Sequence, residues 1–310
     1  MPTINRRFFL KSAAAASALA TLGARAEGPS QGPFFDVHTH LGQMWGRRLQ
    51  LTADNLLRWM DQHHIEQAVV LPLISPESWD YPISTGYVLK ETAPHRDRLI
   101  PFCSIDPRTT LLQDREGILE VLGKYVAAGA KGFGEHKPGV AIDDPRNINL
   151  FKCCAELNLP VLFHLDNVRN TDAPGLPGLA QVLEAVPDGI FIGHAQGWWA
   201  SISGDVTQEQ LQGYPSGGVA AGGAIDALME RFPNLYGDLS AGSGNNALAR
   251  DLDFAREFMI RRADRLLFGT DYLRPEQDVP QFDTLGKIDL PQEVREKIFT
   301  GNARRLLGLA

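Results

Sequence analysis

"VLFHLDNVRNTDAPGLPGLAQVLEAVPDGIFIGH", Val161–His194, carries two short β-rich runs, Val161–His164 and Ile190–His194, separated by a longer segment of helical pattern. Both runs end on a histidine, and their ends lie about 30 residues apart, the length of one βα unit. Six further runs keep this rhythm: Phe34–His38, Gln67–Leu71, Leu99–Ser104, Lys131–Glu135, Leu235–Leu239 and Leu266–Gly269. Between them lie amphipathic stretches. "TADNLLRWMDQHH" has Thr52 as its expected N-cap, and "DREGILEVLGKYVAAGAKG" is closed by Gly129. Eight such units predict an α/β chain folded as a single-domain (β/α)8 barrel. An open doubly wound sheet is the alternative, but no G-x-G-x-x-G follows the first run. The one long gap, "GWWASISGDVTQEQLQGYPSGG", reads as an inserted loop around residues 197–218.

The N-terminal segment is set apart from the fold. "NRRFFLK" pairs Arg6 with Arg7, an alanine-rich stretch follows, and Ala24-Arg25-Ala26 has the form of a cleavage site. Residues 1–26 resemble a twin-arginine export signal, with Asn5 where Ser or Thr is usual. The expectation is recognition by the twin-arginine translocase and a periplasmic barrel over 27–310. The formal charge is −7, and removing Arg6, Arg7, Lys11 and Arg25 takes it to −11. Such an acidic chain argues against nucleic acid or an anionic membrane as partner, and no later stretch predicts membrane insertion. The sequence leaves room for a homo-oligomer. Cys103, Cys153 and Cys154 are expected as packed thiols, not as a disulfide framework.

In a barrel, chemistry gathers at the C-terminal ends of the strands. The first run, "PFFDVHTHLG", ends with His38 and His40; alternation predicts these two and Asp36 on one face, with Phe35, Val37 and Thr39 on the other. Glu135, His136 and Lys137 follow the fourth run, and His136 has the parity to point outward. His164 ends the fifth run, His194 the sixth, and Asp271 follows the eighth. Each alone has an ordinary structural explanation, as a core histidine, a helix cap or an ion pair. Together they are costly to bury without partners, and a divalent cation is the economical one.

Those strand-end motifs resemble the amidohydrolase-related metal-dependent hydrolases, a family that also includes lactonases and nonoxidative decarboxylases. The matching pieces are "DVHTH", "LPVLFH", "FIGHAQG", "RLLFGTDY" and the closing "IFTGNARRLLGL", and they span essentially the whole chain after the signal. The resemblance implies His38, His40, His164 and Asp271 as metal ligands, with His194 beside the reacting water or substrate. "GFGEHKPG" departs from it: Glu135 or Lys137 could fill the place of a metal-bridging group, so one ion or two stays open. Zinc is the expected ion, with manganese as the alternative.

Three functions follow from these residues. The leading one is metal-assisted hydrolysis of a small cyclic ester or amide, with Asp271 and His194 catalytic. The second is nonoxidative decarboxylation of a small aromatic carboxylate. The third is a non-catalytic periplasmic protein holding a metal or ligand. Trp45, Arg47, Arg48, Lys137, Trp198, Trp199 and Arg274 cluster after the strands, so Arg274, Lys137 and Trp198 are expected to bind a small anionic ring compound.

Overall fold

The computed structural model describes residues 32–43, 49–78, 82–109 and 114–309. The expected export signal, Trp45, Arg47 and Arg48 lie outside the described residues. The strands are β1 (Phe34–Thr39), β2 (Ile65–Val70), β3 (Leu99–Pro101), β4 (Phe133–His136), β5 (Val161–His164), β6 (Phe191–His194), β7 (Leu235–Asp238) and β8 (Leu266–Leu267). The helices are α1 (Ala53–Gln62), α2 (Thr85–Thr92), α3 (Arg115–Ala127), α4 (Pro145–Glu156), α5 (Pro177–Ala185), α6 (Gln196–Ala200), α7 (Ala224–Arg231), α8 (Ala241–Ala249), α9 (Leu252–Arg261), α10 (Gln281–Lys287), α11 (Gln292–Glu296) and α12 (Asn302–Leu307). All eight expected runs are strands, each within a few residues of its expected bounds.

Every ladder is parallel, in the order β1-β2-β3 and β4-β5-β6-β7-β8. Two parallel bridges join the edges, Cys103 to Phe133 and Thr39 to Tyr272, and the Val37 N–H donates to the Phe268 carbonyl at 3.0 Å. The ring of strands is thereby closed, as a (β/α)8 barrel requires.

The apolar side chains divide into two clusters, as this architecture demands. Phe35, Val37, Val69, Leu71, Ile100, Phe102, Leu162, Ile192 and Leu267 come from six strands or their ends and touch one another, filling the barrel; Ala303 and Leu307 of α12 pack onto them. Alternate strand residues, such as Ala68, Val70, Phe163 and Phe191, join the helices in an outer layer. The local signals act as expected. Thr52 caps α1 by accepting from the Asn55 N–H, and Gly129, at φ 106°, follows α3 in the left-handed region that favours glycine.

Strict alternation fails in β1. Its register against β2 shifts between Asp36 and Thr39, so two residues oppose one there. Phe35 and Val37 still keep to one face, as alternation predicts, and that face lies inside the barrel. Asp36 does not share the histidine face: it is fully buried and accepts from the Thr270 N–H at 3.0 Å and the Thr270 hydroxyl at 2.5 Å, tying β1 to the end of β8. Burial pushes its carboxyl up to about 7.

Trp198 is corrected by the same geometry. Gly193 of β6 presents a bare Cα outward, and a Cβ there would lie 2.4 Å from the Trp198 ring. The indole fills that space, meets Phe163 edge-on and is 0% exposed; Trp199, at 1%, packs beside it. Both tryptophans are core residues of the helix layer and do not face a ligand. Among the described residues, no helix is long and apolar enough to cross a membrane.

Candidate active site

His38, His40, Glu135, His164, His194 and Asp271 meet at the C-terminal rim of the barrel, linked through Glu135 and His38. The Nε2 atoms of His38 and His40 face each other at 3.1 Å. Asp271 Oδ1 lies 3.5 Å from the first and 3.4 Å from the second. Glu135 turns its two oxygens to different neighbours. Oε2 is 3.8 Å from His38 Nε2, 3.5 Å from His40 Nε2 and 3.3 Å from Lys137 Nζ. Oε1 is 2.7 Å from His164 Nδ1 and 3.7 Å from His194 Nε2. His164 and His194 are register partners on β5 and β6, which sets their rings side by side. His136 points the other way, as its parity requires. Its Nε2 meets Asn147 of α4 at 2.8 Å, and burial pushes its pKa down to about 4.

A second ring of acceptors fixes which nitrogen of each imidazole carries the proton. His38 Nδ1 is 2.7 Å from Asp238 Oδ2, and His40 Nδ1 is 2.9 Å from the Leu71 carbonyl. Both acceptors need an N–H, so both Nδ1 atoms carry hydrogen, and in the neutral rings both Nε2 atoms present lone pairs. Two lone pairs at 3.1 Å repel unless a positive charge sits beside them. His164 poses the same problem: its Nε2 meets Asp166 at 2.9 Å while its Nδ1 faces Glu135, and a neutral imidazole can donate to only one of them. His194 Nδ1 lies 3.1 Å from Asp238 Oδ2 and 3.0 Å from Ser240 Oγ, which turns its Nε2 towards Glu135.

The electrostatics ask for a cation. For Glu135, burial works against ionisation, but the Lys137 ammonium first, and then the neighbouring imidazoles of His164, His38 and His40, hold its carboxyl well below the usual range. At Asp271 and Asp238 burial is likewise outweighed, first by the charge of His38, and both stay ionised. Asp166 is kept low against burial by His164 and Arg169. Lys137 offsets Glu135 and Arg169 offsets Asp166, while Asp238 and Asp271 depend on positive charge at the imidazoles between them. Burial would lower the basicity of His38, yet Asp271 and Asp238 raise it well above normal, so this spot favours positive charge strongly.

The donor set fits a divalent ion. The three edges among His38 Nε2, His40 Nε2 and Asp271 Oδ1 are 3.1, 3.4 and 3.5 Å. Donors bound at zinc-like distances in a tetrahedral site span edges of about 3.3–3.4 Å. Mixed imidazole and carboxylate donors suit zinc or manganese. Asp271 holds its place with φ 57°, a left-handed conformation rare for a non-glycine residue, and Ala195 (φ 84°) and Ala241 (φ 60°) share that region after β6 and β7.

A cavity of about 240 Å³ opens over this cluster and is lined in part by His40, Lys137, His164, His194 and Asp271. Lys137 faces it, as expected, although its ammonium is already paired with Glu135. Arg274 does not line it. Gln277 binds the Leu273 N–H and the Asp271 carbonyl, so the loop turns Leu273 to the cavity and carries Arg274 past it. The cation found there instead is Arg169, from the loop after β5. The inserted loop contributes Tyr214. Sequence reasoning missed Asp238, Asp166, Ser240, Arg169 and Tyr214. For Asp238 a signal existed: an acid at the end of an apolar run, the same feature that singled out Glu135. Arg169 and Tyr214 sit in loops with no periodicity to place them.

No similar protein was found among those of curated function. Solved structures share the fold. An uncharacterised TIM-barrel protein from Bordetella bronchiseptica is 21% identical, with 83% of each chain covered and a TM-score of 0.61. A probable 2-pyrone-4,6-dicarboxylic acid hydrolase from Acinetobacter baumannii, with citric acid bound, is 14% identical over 89% of this chain and 100% of the other, with a TM-score of 0.59. A dihydroxybenzoic acid decarboxylase from Polaromonas sp. JS666, with bound manganese and the inhibitor 2-nitroresorcinol, is 17% identical over 90% and 97%, with a TM-score of 0.56. The sequence family described as amidohydrolase matches residues 35–309, nearly all of the barrel. With that match and its barrel-rim cluster of histidines and carboxylates, the chain belongs to the amidohydrolase family.

Proposed function

We propose that the protein is a metal-dependent hydrolase that opens a small cyclic ester or amide. The observation that carries this reading is the pair of Nε2 lone pairs of His38 and His40, turned on each other at 3.1 Å beside Asp271 and open to the cavity. His38, His40 and Asp271 would hold the ion, zinc or manganese, and three protein donors leave a place for water, as catalytic sites do. Glu135 shares its carboxylate between this group and His164 with His194, and Glu135, His194 and His38 form a second set of donors close enough that they would hold a further ion. When bound, such ions supply Lewis acidity to a carbonyl oxygen and make a nearby water more acidic.

The chain's own residues supply the rest. Asp271, ionised and facing the cavity, accepts the proton of the attacking water and returns it to the leaving oxygen or nitrogen. Asp238 keeps His38 and His194 in the tautomer that faces inward. Lys137 balances the Glu135 charge and offers its ammonium to the substrate side. The solved structures with this fold include one described as acting on a pyrone dicarboxylate, a cyclic ester, which supports the substrate class. Decarboxylation is the second reading, supported by the decarboxylase of the same fold.

The test combines elemental analysis of the purified protein with a turnover screen on lactones, cyclic amides and dihydroxybenzoates. Bound zinc or manganese with ring opening and no gas release is expected. Carbon dioxide release would replace the hydrolase reading with the decarboxylase one. A metal-free, inactive protein would overturn both.

A further inference from the structure

We infer that the N-terminus of α8 is an anion subsite, shaped to hold a carboxylate of the substrate at the wall of the cavity beside Asp271. This deepens the proposed function and rests on that reading for the identity of the cavity as the substrate site. α8 begins directly after the β7 rim, at Ala241. Its first turn lacks the cap its sequence provides for. Ser240 is the N-cap residue and a favoured type there, yet its side chain makes no capping hydrogen bond. The hydroxyl is spent elsewhere, 2.7 Å from Asp238 Oδ2 and 3.0 Å from His194 Nδ1. The Ala241 N–H reaches the Thr270 carbonyl at 3.4 Å, and the Gly244 N–H starts the helical pattern on the Ser240 carbonyl. The amides of Gly242 and Ser243, between them, make no backbone bond outside the helix and are among the orphan donors of a helix start.

The second observation is Ser243 itself. It lines the cavity, is 3% exposed, and its Oγ is buried with no hydrogen-bond partner. An unpaired buried hydroxyl costs about 1–3 kcal/mol, so a native structure keeps one where something else completes it. Across from it stands Tyr214 of the inserted loop. Its hydroxyl lies 3.2 Å from where a Cβ on Gly242 would sit, so the phenol covers the helix start closely. Gln196 lines the cavity beside it. Lys137 and Arg169 line the same cavity. Both are already paired with acids of the chain, so the match to a carboxylate over its uncharged amide rests on two hydroxyls, two free amides and the positive end of a helix dipole.

The probe is benzoate, with benzamide as its uncharged counterpart, titrated calorimetrically into the metal-loaded protein and into the Ser243→Ala and Tyr214→Phe variants. Wild-type protein should bind benzoate more tightly than benzamide. Each variant should weaken benzoate about 5- to 10-fold and shift benzamide less than 2-fold, because only the carboxylate uses these donors. Circular dichroism and metal content, unchanged in both variants, show that the fold and ion are intact. Benzoate affinity unchanged in both variants, or equal losses for benzoate and benzamide, would overturn the subsite. The preference can be read whether or not turnover occurs. Loss of the proposed hydrolysis with the preference intact would refute the activity alone, and hydrolysis with no preference would refute the subsite alone.

Discussion

Asp238→Asn isolates the residue that orders the proposed metal donors without lining the cavity. The wild-type carboxylate is fully buried. Oδ2 accepts from His38 Nδ1 at 2.7 Å, lies 3.1 Å from His194 Nδ1, and takes the Ser240 hydroxyl at 2.7 Å, while Oδ1 accepts the Ser240 N–H at 3.0 Å. Asparagine keeps the shape but supplies only one acceptor oxygen. If that oxygen stays on the Ser240 N–H, the amide N–H₂ points at His38 and His194 and drives the proton to Nε2, where the ion should bind. If it flips, the N–H₂ meets the Ser240 N–H head-on. The first arrangement disrupts two imidazoles, and the second keeps their acceptor but sets two donors against each other in a buried place. Loss of such a supporting partner costs about 10- to 100-fold in metal affinity, or about 1.4–2.7 kcal/mol. Competition against a chelator with known zinc affinity, followed by elemental analysis, measures it, and circular dichroism checks the fold. A folded Asp238→Asn protein with wild-type zinc affinity would refute the argument that Asp238 sets the tautomer on which the site depends.

Four further outcomes are expected. Glu135→Gln removes the carboxylate shared by the two donor groups, so the metal bound per chain should fall; unchanged stoichiometry by elemental analysis would refute a bridging role. Trp198→Ala should cost about 3–5 kcal/mol of stability by urea unfolding, with unchanged KM in whatever folds, because the indole is core and not cavity wall. His136 is held neutral, with its pKa near 4 against about 6.5 in an unfolded chain. The unfolded state therefore takes up the proton first: stability is full above pH 6.5 and falls through the window down to pH 4, by about 2–3 kcal/mol for this group. Urea unfolding of His136→Gln should show a pH slope shallower by that amount, and parallel slopes would contradict it. We also propose that Arg6 and Arg7 direct twin-arginine export; replacing both with Lys should keep the protein in the cytoplasm on fractionation, and normal periplasmic levels would point to another route.

Much of this protein is legible in its sequence because a barrel repeats one local rule. Each βα unit writes its own signal in about 30 residues: an apolar run, a polar strand end, an amphipathic helix. The rim residues His38, His40, Glu135, His164, His194 and Asp271 could be picked out because a charged or imidazole group at the end of an apolar run is costly and local. What the sequence could not decide is which way loops and irregular strands turn. The register shift in β1 takes Asp36 out of the histidine face, and nothing in "FFDVHT" marks it. Trp198 reads as a flat cavity wall until Gly193 is seen to leave it a slot in the core. Arg274 and Arg169 are alike in sequence; the fold of their loops brings only Arg169 to the cavity. The diverted cap at Ser240, the orphan hydroxyl of Ser243 and the phenol of Tyr214 come together from β7, α8 and the inserted loop. Those contacts join residues far apart in the chain, and periodicity carries no information across such distances.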